Sequence, residues 1–209
     1  MEPTLRDAAR DAIGFMPEDE GLALYRAGLL AARVGPLLEI GSYCGKSAVY
    51  LGGAARVRGT VLYSIDHHRG SEEHQHGQEY HDPRLVDEAT GRIDTLPQFT
   101  ATVRGAGLAG VVLPIVARSE ELGRAWREPL GLVFIDGGHA QTQVASDYET
   151  WARHVRTGGL LAIHDVFVDP AAGGRAPFEA YRRALDTGAF EEISATGSLR
   201  ILQRVRNDV

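Results

Sequence analysis

Apolar residues fall along this chain in two rhythms. Helical spacing runs through residues 5–13 and 20–34, with Pro17 between them, and predicts two helices before any strand. Short apolar runs then recur at 37–40, 60–65, 111–116, 132–135, 160–163, 190–195 and 199–205, bounded by glycine, proline or acidic residues. Runs of that length suit buried strands. Helical patterning separates them at 48–57, at 84–104 with a break at Pro97, at 119–126, at 141–155 and at 177–186, and Thr157, Gly158 and Gly159 are expected to close the fourth of these. The alternation predicts an α/β fold: a seven-stranded, mostly parallel sheet with one antiparallel strand near its edge, helices on both faces, and an N-terminal helical extension over 1–35.

The pattern is informative where it breaks. The run ending at Ile135 passes into Asp136-Gly-Gly-His139, and the run ending at Ile163 passes into His164-Asp165. A carboxylate at the end of a buried strand loses water, so such positions tend to hold a cation, a ligand or a proton. Glu39 is an acid inside the first strand, where a parallel sheet is normally apolar, and is placed to hold a ligand's ammonium group. The turn after it, Gly41-Ser-Tyr-Cys-Gly-Lys-Ser47, enters a helix, an arrangement that lets backbone N–H groups approach a nucleotide. It is not a triphosphate-binding loop, because the position five before Gly45 is Ile40 rather than glycine. The second strand ends in Asp66, near the spacing expected for an acid that receives ribose hydroxyls.

Residues 67–83 hold five of the eight histidines and follow neither rhythm, which predicts a loop able to fold over a ligand. A zinc site there is the alternative, although the spacings match no familiar pattern. Composition narrows the partners. A formal net charge of -6 argues against a surface that coats nucleic acid, and one cysteine allows no intrachain disulfide. With no secretion-signal pattern at the start and no apolar run near the roughly 20 residues that span a bilayer, a cytoplasmic protein without membrane contact is expected. The 209 residues suit a single domain over 1–209.

Taken together, Leu38-Glu-Ile-Gly-Ser-Tyr-Cys-Gly-Lys-Ser47, Ser64-Ile-Asp66, Phe134-Ile-Asp-Gly-Gly-His139 and Gly158-Gly-Leu-Leu-Ala-Ile-His-Asp165 resemble the class I S-adenosylmethionine-dependent methyltransferases, a Rossmann-like family. The resemblance covers nearly the whole chain after residue 35. Within that family the last two segments are similar to metal-dependent O-methyltransferases of small molecules, particularly those acting on macrolide sugars. The small size and the histidine-rich loop are also similar to methyltransferases of methylmannose polysaccharides. The resemblance implies S-adenosylmethionine held by Glu39, Gly41, Ser42, Ser47, Asp66, His67 and Asp136, with Arg118 and Ser119 beside adenine. It further implies Mg²⁺ on Asp136 and Asp165, with His139 as general base. His164 stands where relatives carry an acid, which makes it the candidate third ligand.

The chemistry is consistent with that reading. A sugar hydroxyl is a poor acid, and its methylation is helped by a cation on the oxygen and a base of near-neutral pKa. A catechol or other phenol is the alternative acceptor, and a cofactor-binding module without catalysis is the alternative class. A nicotinamide-dependent oxidoreductase is disfavoured because the first turn lacks Gly-x-Gly-x-x-Gly. Base rates favour a homodimer.

Overall fold

The computed structural model describes residues 1–78, 80–138, 140–169 and 173–206. Seven strands form the main sheet in the order β5-β2-β1-β6-β7-β9-β8, where β1 is Leu37–Ile40, β2 Leu62–Asp66, β5 Val112–Val116, β6 Leu130–Ile135, β7 Val155–Ile163, β8 Phe190–Thr196 and β9 Leu199–Arg204. Only β9 runs against the rest, pairing antiparallel with both β7 and β8. The seven-stranded, mostly parallel, Rossmann-like sheet is therefore as expected.

Side chains alternate between two cores as a pleated strand requires. Leu37, Leu132, Phe134, Leu160 and Ala162 face helices α1 (Pro3–Asp11), α2 (Glu18–Ala31), α3 (Lys46–Arg58) and α4 (Leu96–Gly105). Leu38, Ile40, Val133, Ile135, Leu161 and Ile163 face α6 (Gln141–Trp151) and α7 (Ala176–Asp186), with Leu122 of α5 (Ser119–Ala125) against the same core. Leu5, Ala9, Leu24 and Ala27 are buried in the first core, so α1 and α2 are part of the helical layer rather than an appendage. Leu30, within the helical apolar pattern of residues 20–34, is nevertheless exposed. Among the described residues, no helix is long and apolar enough to cross a membrane.

Two local expectations are corrected. A single 3-10 turn at Pro83–Leu85 stands where a helix was expected, and residues 86–95 are not helical: β3 (Val86–Asp87) and β4 (Arg92–Ile93) form an antiparallel pair. Asp87 Oδ1 accepts the N–H groups of Ala89 and Thr90 and makes the turn, and a strand pair this short leaves no periodicity to read. Thr157, Gly158 and Gly159 do not close a helix either. They lie inside β7, which begins at Val155 and crosses an irregularity between Leu130 and Leu132 of β6.

Chain order within the sheet explains where a ligand can sit. From β1 the chain moves outward through β2 to β5, then returns to β6 on the other side of β1. The carboxyl ends of β1 and β6 flank this switch point, where open α/β sheets leave a crevice.

Candidate active site

Backbone bonds continue past the strand ends and align them into one rim. Ala117 N–H donates to Asp66 O at 3.2 Å, Gly41 to Ile65 O at 3.0 Å, Asp136 to Ile40 O at 3.0 Å and His164 to Ile135 O at 3.1 Å. The residue after each apolar run is thereby fixed beside its neighbour. Above the rim lies a cleft of about 1200 Å³. Gly41 (φ +87°) permits a close approach of the backbones: a Cβ there would lie 2.1 Å from the carbonyl oxygen of Asp136.

Most residues expected to bind the cofactor border this cleft. Gly41, Ser42, Ser47, Asp66, His67, Arg118, Ser119 and Asp136 all line it. Gly45 (φ 91°) leads into α3, so the free N–H groups of that helix start face the same space as Ser47. Ser42 is buried, and its hydroxyl has no hydrogen-bond partner among the described residues. Asp66 accepts the N–H groups of Tyr43 and His68. Ser119 donates its hydroxyl to Asp147 of α6, so its lone pairs remain to accept from a ligand.

Glu39 lies one layer further in. It is fully buried behind the cleft wall, where Ser64 donates to Oε1 at 2.5 Å, and it is not among the residues that border the cleft. Its place in the middle layer of the sheet removes it from solvent. Burial pushes its carboxyl up to about 7, with the charges of Asp136 and Asp66 adding to the effect.

Asp136, His164 and Asp165 come together as the sequence suggests. One ligating atom from each lies within 4.8 Å of the others, and this is the one group of three or more metal-binding side chains among the described residues. The loop histidines form no such group there. His164 Nδ1 is 3.1 Å from Asp136 Oδ1 and 3.3 Å from Asp165 Oδ2. Its Nε2 is 2.5 Å from Glu20 Oε2. Burial opposes a charge on the ring, but Asp136, Asp165 and Glu20 outweigh it and drive the imidazole far above its ordinary value. For Glu20, burial works upward and is likewise outweighed, by His164 and the Ser198 N–H, leaving the carboxyl below its ordinary value. Asp165 takes φ 55°, a left-handed turn that aspartate tolerates, and this ends the run of β7. His139 lies outside the described residues, while its neighbours Gly138 and Ala140 line the cleft.

Glu20 and Asp147, buried against the cleft residues His164 and Ser119, carried no functional expectation. Glu20 belongs to α2, and its spacing from Leu24, Ala27 and Ala31 puts an acid on the buried stripe. Asp147 repeats the signal on α6, between Val144 and Tyr148. Lys46 also lines the cleft. Phe15, Tyr43, His74 and Tyr80 gather at the cleft as a cluster of rings, with centroids 4.8 Å apart for Tyr43 and His74 and 5.0 Å for Phe15 and Tyr80. Tyr148 and Trp151, by contrast, are core residues.

A switch-point cleft with a glycine turn, an acid ending β2 and polar groups after β6 and β7 fits a class I S-adenosylmethionine-dependent methyltransferase. The chain belongs to the methyltransferase domain family, whose model matches residues 38–166. Solved structures share the fold across almost the full chain. The O-methyltransferase NovP superposes with a TM-score of 0.71 at 16% identity, covering 97% of this chain and 88% of its own. The O-methyltransferase TomG from Streptomyces achromogenes, involved in tomaymycin synthesis and solved with S-adenosylmethionine, gives 0.61 at 16% identity, with 99% and 91% covered. A protein from Staphylococcus aureus described as a putative caffeoyl-CoA O-methyltransferase gives 0.63 at 12% identity, with 96% and 90% covered.

Proposed function

We propose that the enzyme transfers the methyl group of S-adenosylmethionine to a hydroxyl of a sugar or glycosylated small molecule, with a divalent cation at Asp136, His164 and Asp165 and His139 as general base. One observation carries this reading: the cluster of two carboxylates and an imidazole shares a single cleft with the glycine turn, Asp66 and Ser119. The donor set fits a cation, because both carboxylates and His164 Nδ1 converge while Nε2 is turned to Glu20. Two carboxylates suit Mg²⁺, the ion expected from the sequence, whereas the nitrogen suits an ion such as Fe²⁺ or Zn²⁺. When bound, such an ion lowers the pKa of a coordinated hydroxyl and stabilises the developing alkoxide.

The protein's own groups would do the rest. Gly41, Ser42 and Ser47 offer backbone and hydroxyl donors to the cofactor's amino-acid end, Asp66 and His67 flank its ribose, and Ser119 accepts from the adenine amino group with Arg118 beside it. Glu39 acts at one remove, by fixing Ser64 in the strand behind the turn. Transfer from a sulfonium requires alignment more than covalent help, and the rim supplies fixed strand ends for that purpose. Residues 70–74, Gln78 and Tyr80 border one side of the cleft, where they would limit water.

A phenolic acceptor is the second reading, favoured by the cluster of Phe15, Tyr43, His74 and Tyr80, which suits a planar ring. Calorimetric titration with S-adenosylmethionine followed by an acceptor screen tests both. Binding with methylation of glycosides supports the first, and methylation confined to catechols supports the second. Absence of cofactor binding, or transfer only to nitrogen or carbon, overturns both.

A further inference from the structure

Glu20 and His164 are 144 residues apart in the chain, yet their side chains meet at 2.5 Å with almost no solvent exposure, 4% and 6%. The carboxylate is itself fixed. Ser198 donates its N–H to Oε1 at 2.5 Å, and its hydroxyl lies 3.4 Å from Oε2. Gly197 (φ +52°) lets the β8–β9 turn close onto it, since a Cβ there would lie 2.1 Å from Glu20 Oε1. Helix α2, the end of β7 and the β8–β9 turn thus converge on one carboxylate. Across the imidazole, Nδ1 faces Asp136 and Asp165 at 3.1 and 3.3 Å. Both edges of the ring are engaged, so the ring has one orientation.

We propose that Glu20 is a positioning residue for the cation site, holding the Nε2–H of His164 so that, with a cation in place of the Nδ1 proton, Nδ1 presents its lone pair between Asp136 and Asp165, and that the site therefore selects an imidazole-favouring ion such as Fe²⁺, Co²⁺ or Zn²⁺ over Mg²⁺. This rests on the cation role given above to Asp136, His164 and Asp165. A carboxylate on the far nitrogen of a ligating histidine sets its tautomer and raises its basicity. The nitrogen adds little for Mg²⁺, which prefers oxygen, and much for the later transition ions. Glu20 precedes the segment matched by the family model, so this support comes from α2 and not from the matched core.

The test uses the full chain. Co²⁺ affinity is read from its visible absorption, Mg²⁺ affinity from competition against Co²⁺, and S-adenosylmethionine binding by calorimetry reports an intact fold. The expected result is a wild type that prefers Co²⁺ to Mg²⁺ by at least about tenfold. Glu20→Gln keeps an acceptor but loses the charge, and should weaken Co²⁺ by about 10–100-fold while Mg²⁺ changes less. A Co²⁺-to-Mg²⁺ preference unchanged in Glu20→Gln overturns the inference and leaves the cation reading standing, because a merely structural ion pair would lower stability without touching selectivity. A wild type that binds neither ion overturns the cation reading and the inference with it. The tautomer is also measurable without any substitution: ¹⁵N NMR of the Zn²⁺-loaded wild type should show His164 protonated at Nε2, and protonation at Nδ1 overturns the inference.

Discussion

The carboxylate of Asp66 holds the backbone of Tyr43: Oδ2 accepts the Tyr43 N–H at 2.8 Å, and Oδ1 accepts the N–H of His68 at 2.7 Å. Tyr43 takes φ 45°, a left-handed conformation that a bulky side chain adopts only under constraint. One acid at the end of β2 therefore shapes the glycine turn after β1 and the start of the loop over the cleft. Its remaining lone pairs stay available to ribose hydroxyls.

Asp66→Ala should accordingly damage structure and binding together. Two bonds to a charged acceptor are lost, which costs about 2–3 kcal/mol in stability. Asp66→Asn keeps one acceptor oxygen and should lose less stability while still weakening S-adenosylmethionine. Urea denaturation and calorimetry on the two variants separate these effects. Unchanged cofactor affinity in Asp66→Asn would confine Asp66 to its turn-bracing role.

Glu39 predicts an unusual slope of stability with pH. Burial pushes its carboxyl up to about 7 from an ordinary 4.5, so the folded state holds a proton that the unfolded chain gives up. Its contribution is fully present below about 4.5 and is lost as pH rises through about 7. Glu39→Gln, which keeps the bond from Ser64, should gain on the wild type between pH 5 and pH 8, by up to about 3 kcal/mol. Asp147, raised to about 6 by burial, titrates in the same sense and keeps some slope in the variant. Equal pH profiles for the two proteins would refute the assignment.

The strands could be read in the sequence because a parallel strand buried on both faces must be a continuous apolar run, and its polar ending marks the rim. That logic found Asp66, Asp136, His164 and Asp165. It missed the first half of β7, where Arg156, Thr157, Gly158 and Gly159 carry no strand pattern and the pairing with β6 is irregular. It placed Glu39 in a strand but could not tell the cleft from the layer behind it. Glu20 was hidden because its meaning depends on a partner at the far end of the chain. An acid on a helix's buried stripe signals that a partner exists without naming it.

Gly41 is expected to be the least replaceable glycine of the site. A side chain there meets both a left-handed backbone and the Asp136 carbonyl, and neither can move without parting β1 from β6. Gly41→Ala should cost about 3–5 kcal/mol and abolish cofactor binding. Gly59, also left-handed (φ +69°) but with open space around it, is the control, and Gly59→Ala should cost only about 1–2 kcal/mol. Similar losses at the two positions, measured by denaturant unfolding, would mean that the contact with Asp136 is unimportant.

Phe15 joins the segment between α1 and α2 to the loop over the cleft. Its ring lies 5.8 Å from Tyr43, 6.2 Å from His74 and 5.0 Å from Tyr80, yet 62% of the residue is exposed. Little burial is at stake, so Phe15→Ala should change global stability by no more than about 1 kcal/mol. The loop, which has few other apolar anchors, should become a better protease substrate within residues 71–78. Unaltered cleavage there would show that the ring cluster does not hold the loop.

His139 separates the two acceptor readings. An aliphatic hydroxyl gives up its proton only as the methyl group arrives, so removing the base should lower turnover by about 10²–10⁴-fold. A phenol is far more acidic, and a cation bound to it would leave little for a base to do. With cofactor affinity expected to stay unchanged, the kcat of His139→Ala becomes a measure of the acceptor's own acidity. A large loss that shrinks as buffer pH is raised supports a sugar hydroxyl with His139 as base. A loss under about tenfold at neutral pH, with the wild-type pH profile retained, moves the proposal to a phenolic acceptor and leaves the segment from Gly138 to Ala140 a positioning role only.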